Sequence, residues 1–446
     1  MKREDSNGDV LTPAPEQLEL VLARIEGSAA FRGSARHRAL LRYLVTRTLR
    51  GDASALKETV IALEVFERPA ASFDPRLDSI VRVEARRLRQ RLSEFYAGEG
   101  RALPLRISLP VGSYVPVISS VEVREPESAT RRARDLVERG EHFLRLPLSQ
   151  ATLEQALGRF DAAVRESPGH APAYVGLARA WFNLASGWYH PPAVAPEHAA
   201  EALRQALVLD DTNAVAHALL GAIQHQFEHD WDGAQRSFRR AVELAPQVAF
   251  VHSAYGRHLV AQGLLDEAER ELLLARNLDP QYLNTRLHMV NLRIGQGRLD
   301  DAEREIDGAA DLAPDNMALE GLRGLLALQR GDGAAALRHY GRCCELLPDH
   351  AGCLASLAAA QAFAGEQAQS DATMARLQGR AVPPYIRAIV DTRSGRLEQA
   401  LAQLRSAVLE RDPNIVFIGV DPSFQRLHGE PAWRDLLASI KPRRDD

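Results

Sequence analysis

Apolar positions recur along this chain with two different rhythms. In the first stretch Val81, Ala85, Leu88, Leu92 and Phe95 advance by 4, 3, 4 and 3 residues, which places them on one face of a helix. Asp78 stands where it can cap that helix and Gly98 where it can end it. Upstream, "EQLELVLARIE", "ARHRALLRYLVTRTL" and "LKETVIALEVF" each read as an amphipathic helix. Downstream, "LPLRISLPVGSYVPVI" holds two short β-prone runs around a Pro-Val-Gly-Ser turn and predicts a hairpin. The pattern predicts three or four helices and a hairpin over residues 15–118, after a disordered N-terminus at 1–14.

The second rhythm is longer. Prolines at 246, 280, 314 and 348 and glycines at 263, 297, 331 and 365 both keep a step of 34. Twelve residues before each proline position lies a small residue: Ala156, Ala199, Ala234, Ala268, Ala302 and Ala336. A bulky one sits eight before (Phe160, Leu203, Phe238, Leu272, Ile306, Tyr340), and a small one five before (Ala163, Ala206, Ala241, Ala275, Ala309, Cys343). Small residues let two antiparallel helices approach, the bulky residue fills the groove between them, and glycine and proline punctuate the pair. This pattern resembles the tetratricopeptide repeat. Asp211 replaces one proline, and its 43-residue distance from Pro168 implies about nine extra residues within "SGWYHPPAVAPEH". About eight repeats are expected over 134–412, the first and last irregular, with a polar linker at 119–133 and a C-terminal capping segment at 413–446. The expected fold class is mainly α, a winged helix head followed by an α-solenoid.

The head carries the second resemblance. "VRVEARRLRQRL" is similar to the recognition helix of response-regulator-type winged helix-turn-helix domains, and "ISLPVGSYVPV" to their wing. Val111 departs from that family, whose wing often has lysine there, and this argues against a phosphate contact at that position. The sequence as a whole resembles a bacterial family that joins such a head to tetratricopeptide repeats, through "SFDPRLDSIVRVEARRLRQRL", "HDWDGAQRSFRRAVELAP" and "VFIGVDPSFQRLHGEPAWRDLL". That resemblance implies a transcription-regulator-like protein with double-stranded DNA as partner. Arg82, Val83, Arg86, Arg87 and Gln90 would face the major groove, with Arg106 and Ser113 on the wing. The competing reading is a solvated helix face laced by Glu84–Arg87 and Glu94–Arg91 pairs. It leads to a protein-interaction scaffold whose head docks another protein rather than DNA.

For the repeats, the resemblance implies that the residue eleven after each proline position faces the concave groove. Those residues are Arg179, Ala222, Arg257, Asn291, Leu325 and Ala359. Arg179, Arg257 and Asn291 make the groove polar at its start and suit a carboxylate, as on an acidic peptide or the C-terminus of a polypeptide. Alternatively Arg257 pairs internally with Glu228 or Asp230.

Charge sharpens this division slightly. Residues 1–120 carry 19 Lys+Arg against 15 Asp+Glu, a surplus of four, whereas the whole protein is at −4. Only three lysines occur, so arginine does the work of cations. No apolar run is long enough to span a membrane, the opening residues do not read as a signal peptide, and three cysteines make no disulfide framework, so a cytoplasmic protein is expected. His339 with Cys343 and His350 with Cys353 have zinc-like spacing, but Cys343 occupies a packing position of its repeat and is expected to be buried there. No phosphate loop, HExxH helix or nucleophile elbow is present, and the expectation is no enzyme, no catalytic residue, no cofactor and no metal. Helix-turn-helix proteins pair on palindromic sites, which leaves a homodimer open.

Overall fold

The computed structural model describes residues 15–440 except 72, 102, 104, 121–126, 147, 148, 191, 193, 314, 315, 349 and 378–381. The expected disordered N-terminus at 1–14, Pro314, part of the linker and the last six residues of the capping segment therefore lie outside the described residues. The protein forms two compact units, one from 1–135 with 162–173 and 204–211, the other from the remainder.

In the first unit the predicted elements appear in order: α1 (Pro15–Gly27), α2 (Ala35–Leu49), α3 (Glu58–Glu64), α4 (Ile80–Ala97), β1 (Leu105–Ser108) and β2 (Val117–Ser120). Leu18, Val21, Leu22 and Ile25 of α1 share one core with Leu40, Leu41 and Leu44 of α2 and Ile61 of α3. The five residues picked out by their spacing on α4 join it, and Val208 is buried in the same core. The Asp78 carboxylate accepts the Ile80 N–H at 2.9 Å, and Gly98 follows the last helical residue, as the sequence predicts. β1 and β2 pair antiparallel from Leu105↔Ser120 to Ser108↔Val117, and Gly112 turns the connection with φ +82°.

Helix α5 (Glu127–Arg145) starts inside the segment expected to be linker, and Ser119 and Ser120 belong to β2. Ala129 and Ala133 are buried on α5, so burying its own small-residue stripe draws this polar-looking stretch into a helix. Next come α6 (Gln150–Glu166), α7 (Ala171–Ser186), α8 (Ala195–Leu209) and α9 (Ala214–Ile223). A π-helical turn, Gln224–Glu228, leads into α10 (Trp231–Leu244). The array continues as α11 (Ala249–Gln262) with α12 (Leu265–Leu278), and α13 (Leu283–Gly295) with α14 (Leu299–Ala310). It goes on through α15 (Met317–Gln329), α16 (Gly333–Leu346), α17 (Ala351–Phe363) and α18 (Gln367–Ala375), ending in the pair α19 (Pro384–Arg393) and α20 (Leu397–Leu409).

The repeat register expected from the sequence is the register observed. Every residue assigned to the small and bulky positions, from Ala156 to Cys343, is buried, and Tyr340 is the most exposed of them at 7%. The bulky side chains reach glycines on the preceding helix. A Cβ on Gly256 would lie 2.6 Å from Leu272, and one on Gly324 2.7 Å from Tyr340, so only glycine allows the helices this close. The pattern also runs further than the prolines. Ala400, Leu404 and Ala407 are fully buried twelve, eight and five residues before Asp412, which takes the proline's place. Asp412 is itself buried, accepts the backbone N–H groups of Tyr385 and Asn414 at 3.0 Å each, and burial pushes its carboxyl up to about 6.

After α20 the backbone makes two 3₁₀ turns, Ile415–Phe417 and Pro422–Leu427, and a last helix, α21 (Pro431–Ile440). This segment caps more than the end of the solenoid. Ile415, Val416, Ile418, Phe424 and Trp433 share a core with Tyr385 and Leu404, and also with Trp231 and Ala261 from α10 and α11. The Trp231 indole N–H donates to the Ile440 carbonyl, and the Gln226 amide donates to the Pro413 carbonyl at 3.4 Å. The array thus coils far enough for its end to strap back onto its middle.

Ala268→Leu and Ala302→Leu should each cost about 1–3 kcal/mol, because both side chains are fully buried where no extra volume exists. Denaturant titration of each variant checks this, and unchanged midpoints would contradict the register.

Candidate partner-binding face

Helices α9, α11, α13, α15, α17 and α19 contact one another in succession and form one continuous layer. Of the residues eleven after the proline positions, Arg179 sits on α7 and the other five on this layer. Arg179 is ion-paired with Glu141, Ala222 and Leu325 are half-buried, and Ala359 is buried, so these four present little to a partner. Asn291 is exposed, one turn beyond His288 on the same helix.

Arg257 differs from all of them. Among the described residues no carboxylate lies within ion-pairing distance, and neither Glu228 nor Asp230 pairs with it. Asp230 instead caps α10 by accepting the Gly233 N–H at 2.9 Å. The guanidinium carbon of Arg257 lies 4.8 Å from the centre of the Phe417 ring, which the strap brings over it. Burial pushes its pKa down to about 10. Next to it His288 is pushed down to about 3, first by burial and then by the Arg257 charge, and its Nδ1 lies 3.0 Å from the Ser253 hydroxyl.

Behind Arg257 is a histidine–aromatic cluster that sequence reading missed. The His225 ring lies 4.9 Å from both Trp231 and His258 and 5.9 Å from Phe417, and His258 lies 5.1 Å from Phe238. His258 is fully buried, and its pKa is pushed down to about 4. The π-helical turn that carries His225 ends at His229, whose φ of +54° is left-handed. His229 stands 34 residues before Gly263, where the later repeats place glycine, and its ring Nε2 is buried without a hydrogen-bond partner among the described residues. A left-handed histidine at a glycine position, preceded by a π-turn, is local strain that the sequence alone already hinted at. A further arginine was also missed. With Val382 at the proline position, the eleventh residue on is Arg393, which lies 5.3 Å from the Phe363 ring and feels the Asp421 carboxylate of the strap.

The zinc-like pairs do other work. His339 bonds Glu320 at 2.9 Å, His350 caps α17 by accepting the Cys353 N–H at 3.3 Å, and Cys343 is 3% exposed, as its packing position predicts. Among the described residues no group of three metal-binding side chains is found.

On the head, Arg82, Val83, Arg86, Arg87 and Gln90 all lie on the exposed side of α4. Most of its arginines are held by the protein itself. Arg82 pairs with Glu58 at 3.0 Å, and Arg87 pairs at 2.9 Å with the buried Glu84, which also holds His37 at 2.8 Å. Arg89 clasps the turn between the strands, donating to the carbonyls of Leu109, Pro110 and Ser113 at 2.9, 3.0 and 3.3 Å, and Arg91 donates to the Ala30 carbonyl. Gln90 bonds Glu94 at 2.9 Å, Arg106 lies over the Tyr96 ring at 5.2 Å, and the Ser113 hydroxyl accepts the Val115 N–H at 3.0 Å. Arg86 alone among these arginines has no protein partner among the described residues. Val111 at the tip of the turn is 91% exposed, and Leu77, just before α4, is 87% exposed.

No family model matches this sequence, and no curated protein matches it. Solved structures similar to it are built of helical repeats. Yeast Tom70 is 13% identical, with 94% of this protein and 88% of that one covered and a TM-score of 0.42. PilF from Pseudomonas aeruginosa is 19% identical over 54% of this protein and all of its own length, with a TM-score of 0.37. YrrB, described as a TPR protein with an unusual peptide-binding site, is 20% identical over 43% and 93%, with a TM-score of 0.28. At such identities and scores no residue role transfers from them. No helix of the described residues is long and apolar enough to cross a membrane.

The buried histidines set a pH dependence. His258 is neutral in the fold but takes up a proton near pH 6.5 once unfolded, so its contribution is intact above about 6.5 and is lost as pH falls towards about 4. The wild type should lose stability over this range, and His258→Asn should remove up to about 1.4 kcal/mol per pH unit of that slope. Denaturant titrations of both proteins between pH 4 and 7 measure the difference.

Proposed function

We propose that this protein is an interaction scaffold whose helical repeats hold a protein partner on the face formed by the first helix of each pair. The observation that carries this reading is Arg257, a half-buried cation without a carboxylate partner among the described residues, on the layer where the first helices contact one another in succession. A desolvated guanidinium is costly to leave uncompensated, so this site favours an anion brought from outside. His288, on the next helix of the layer, feels the Arg257 charge, and the exposed Asn291 stands one turn beyond it. The partner chemistry that fits is a carboxylate, on an acidic peptide segment or the C-terminus of a polypeptide. A peptide array screened against the full-length protein should yield acidic binders, and Arg257→Ala should weaken them by about 1.5–3 kcal/mol, the loss of a charge-assisted bond. Best binders that are basic or wholly apolar would refute the assignment.

In this scaffold the head is a second docking module. Its exposed Val111 and Leu77, and the internal engagement of four of the five arginines of α4, support a protein rather than a polyanion as its partner. The winged-helix reading with duplex DNA as partner is favoured by one observation, that Val83 and the unpartnered Arg86 share the exposed side of α4. Titrating the full-length protein with genomic duplex fragments at rising salt separates the two. DNA binding requires a steep salt dependence and a loss of about 1–3 kcal/mol in Arg86→Ala. A salt-independent titration, or no binding, leaves the protein-docking reading.

A further inference from the structure

The strap that crosses the partner-binding face has one side chain out of step with its neighbours. Ile415, Val416 and Ile418 are fully buried, and they lock the backbone of the first 3₁₀ turn into the core made with α20 and α21. Phe417, between them, is only half-buried: its ring borders that core and lies over the guanidinium of Arg257. Four residues on, Asp421 accepts a hydrogen bond from the Tyr385 hydroxyl at 2.7 Å, and between the two Val420 approaches Gly263. The strap is thus anchored on both sides of Phe417, whose ring only borders that core and lies 5.9 Å from His225. It covers a cation of this face that, among the described residues, has no counter-charge.

We propose that Phe417 is a side-chain lid on the Arg257 anion site: the ring occupies the guanidinium while no ligand is present, and a carboxylate gains access when the ring rotates aside on its fixed backbone. This rests on the partner reading above and adds its regulation. The contact suits a lid. A cation–π contact in a partly solvated setting is weak, so it shields Arg257 at small cost and yields to a charge-assisted pair, which is stronger. A carboxylate in the strap at this place would instead have closed the site. The strap does carry one, Asp421, but it is committed to Tyr385 and acts on Arg393, not on Arg257. His288 of α13 lies close enough to feel the Arg257 charge, and its Nδ1 is engaged with the buried Ser253 hydroxyl of α11 at 3.0 Å, so the ring is the movable cover of the guanidinium.

The test uses the full-length protein and its Phe417→Ala variant, which should melt within a few degrees of wild type because the anchoring residues are untouched. Phenylglyoxal, which modifies arginine, is applied to both proteins, and the rate at Arg257 is followed by peptide mass mapping against Arg86 as an exposed reference. Without the ring the Arg257 rate should rise about fivefold or more while that of Arg86 stays the same, a change matching the strength of a cation–π contact. The same variant should bind a glutamate-rich peptide more tightly than wild type by a similar factor. Equal modification rates would overturn the lid. Rates that differ as expected, with no acidic peptide bound by either protein, would keep the lid and overturn the partner reading instead.

Discussion

The fold of the larger unit rests on one steric condition met in several of its helix pairs, that the two helices approach closely enough for a bulky side chain to meet the opposite backbone. Phe160, Phe238, Leu272 and Tyr340 each project onto a glycine where a single Cβ would collide. Alanines on either side keep the rest of the contact thin. Because interiors are packed like crystals, this condition fixes the tilt of each pair, and the tilt accumulates along the array. The array then coils until its C-terminal strap lies against α10 and α11. What looks like a local spacing rule therefore decides which residues meet across a separation of more than 150 positions.

That coiling sets the surroundings of Arg257. Arg257 would be an ordinary half-exposed arginine in an open groove, and the strap changes its surroundings without supplying a counter-charge. Burying an ion without compensation costs free energy, and a ring face returns only part of it. The histidines alongside respond by remaining neutral. Close by in the fold, a π-helical turn ends in a left-handed His229, where the later repeats place glycine.

The repeats were legible because their packing is local: small, bulky and small residues at fixed offsets report contacts between adjacent helices, and all of those assigned are buried. The helices and the strand pair of the head were legible for the same reason, through the faces of α4 and the turn at Gly112. The strap was not, since Phe417 and Arg257 are 160 positions apart and no periodicity links them. Arg393 was hidden by a repeat shortened by four residues with Val382 in place of proline, and α5 by a polar sequence whose buried stripe is only alanine. Reading Arg179 as available failed because its partner Glu141 lies in the irregular first repeat, where no register could be counted.

Arginine density on α4 first pointed to nucleic acid, but density does not decide the matter. A planar guanidinium satisfies several acceptors at once, as a lysine cannot, and this protein uses it that way throughout. Arg89 holds three carbonyls of the strand connection, and the buried Arg293 holds Glu269 and Gln296 at 2.6 and 2.8 Å. Such arginines are construction, because moving them to an external phosphate would break the element they fasten. The informative arginines are those the protein leaves without an acceptor, since only they can engage something new at no internal loss. Among the described residues Arg86 is one such arginine on α4, and Arg257 is one on the layer of first helices. Arg86 is solvated and pays nothing to stay as it is, whereas Arg257 is desolvated and gains by being met. The stronger physical demand for a partner therefore lies on the repeats and not on the arginine-rich helix.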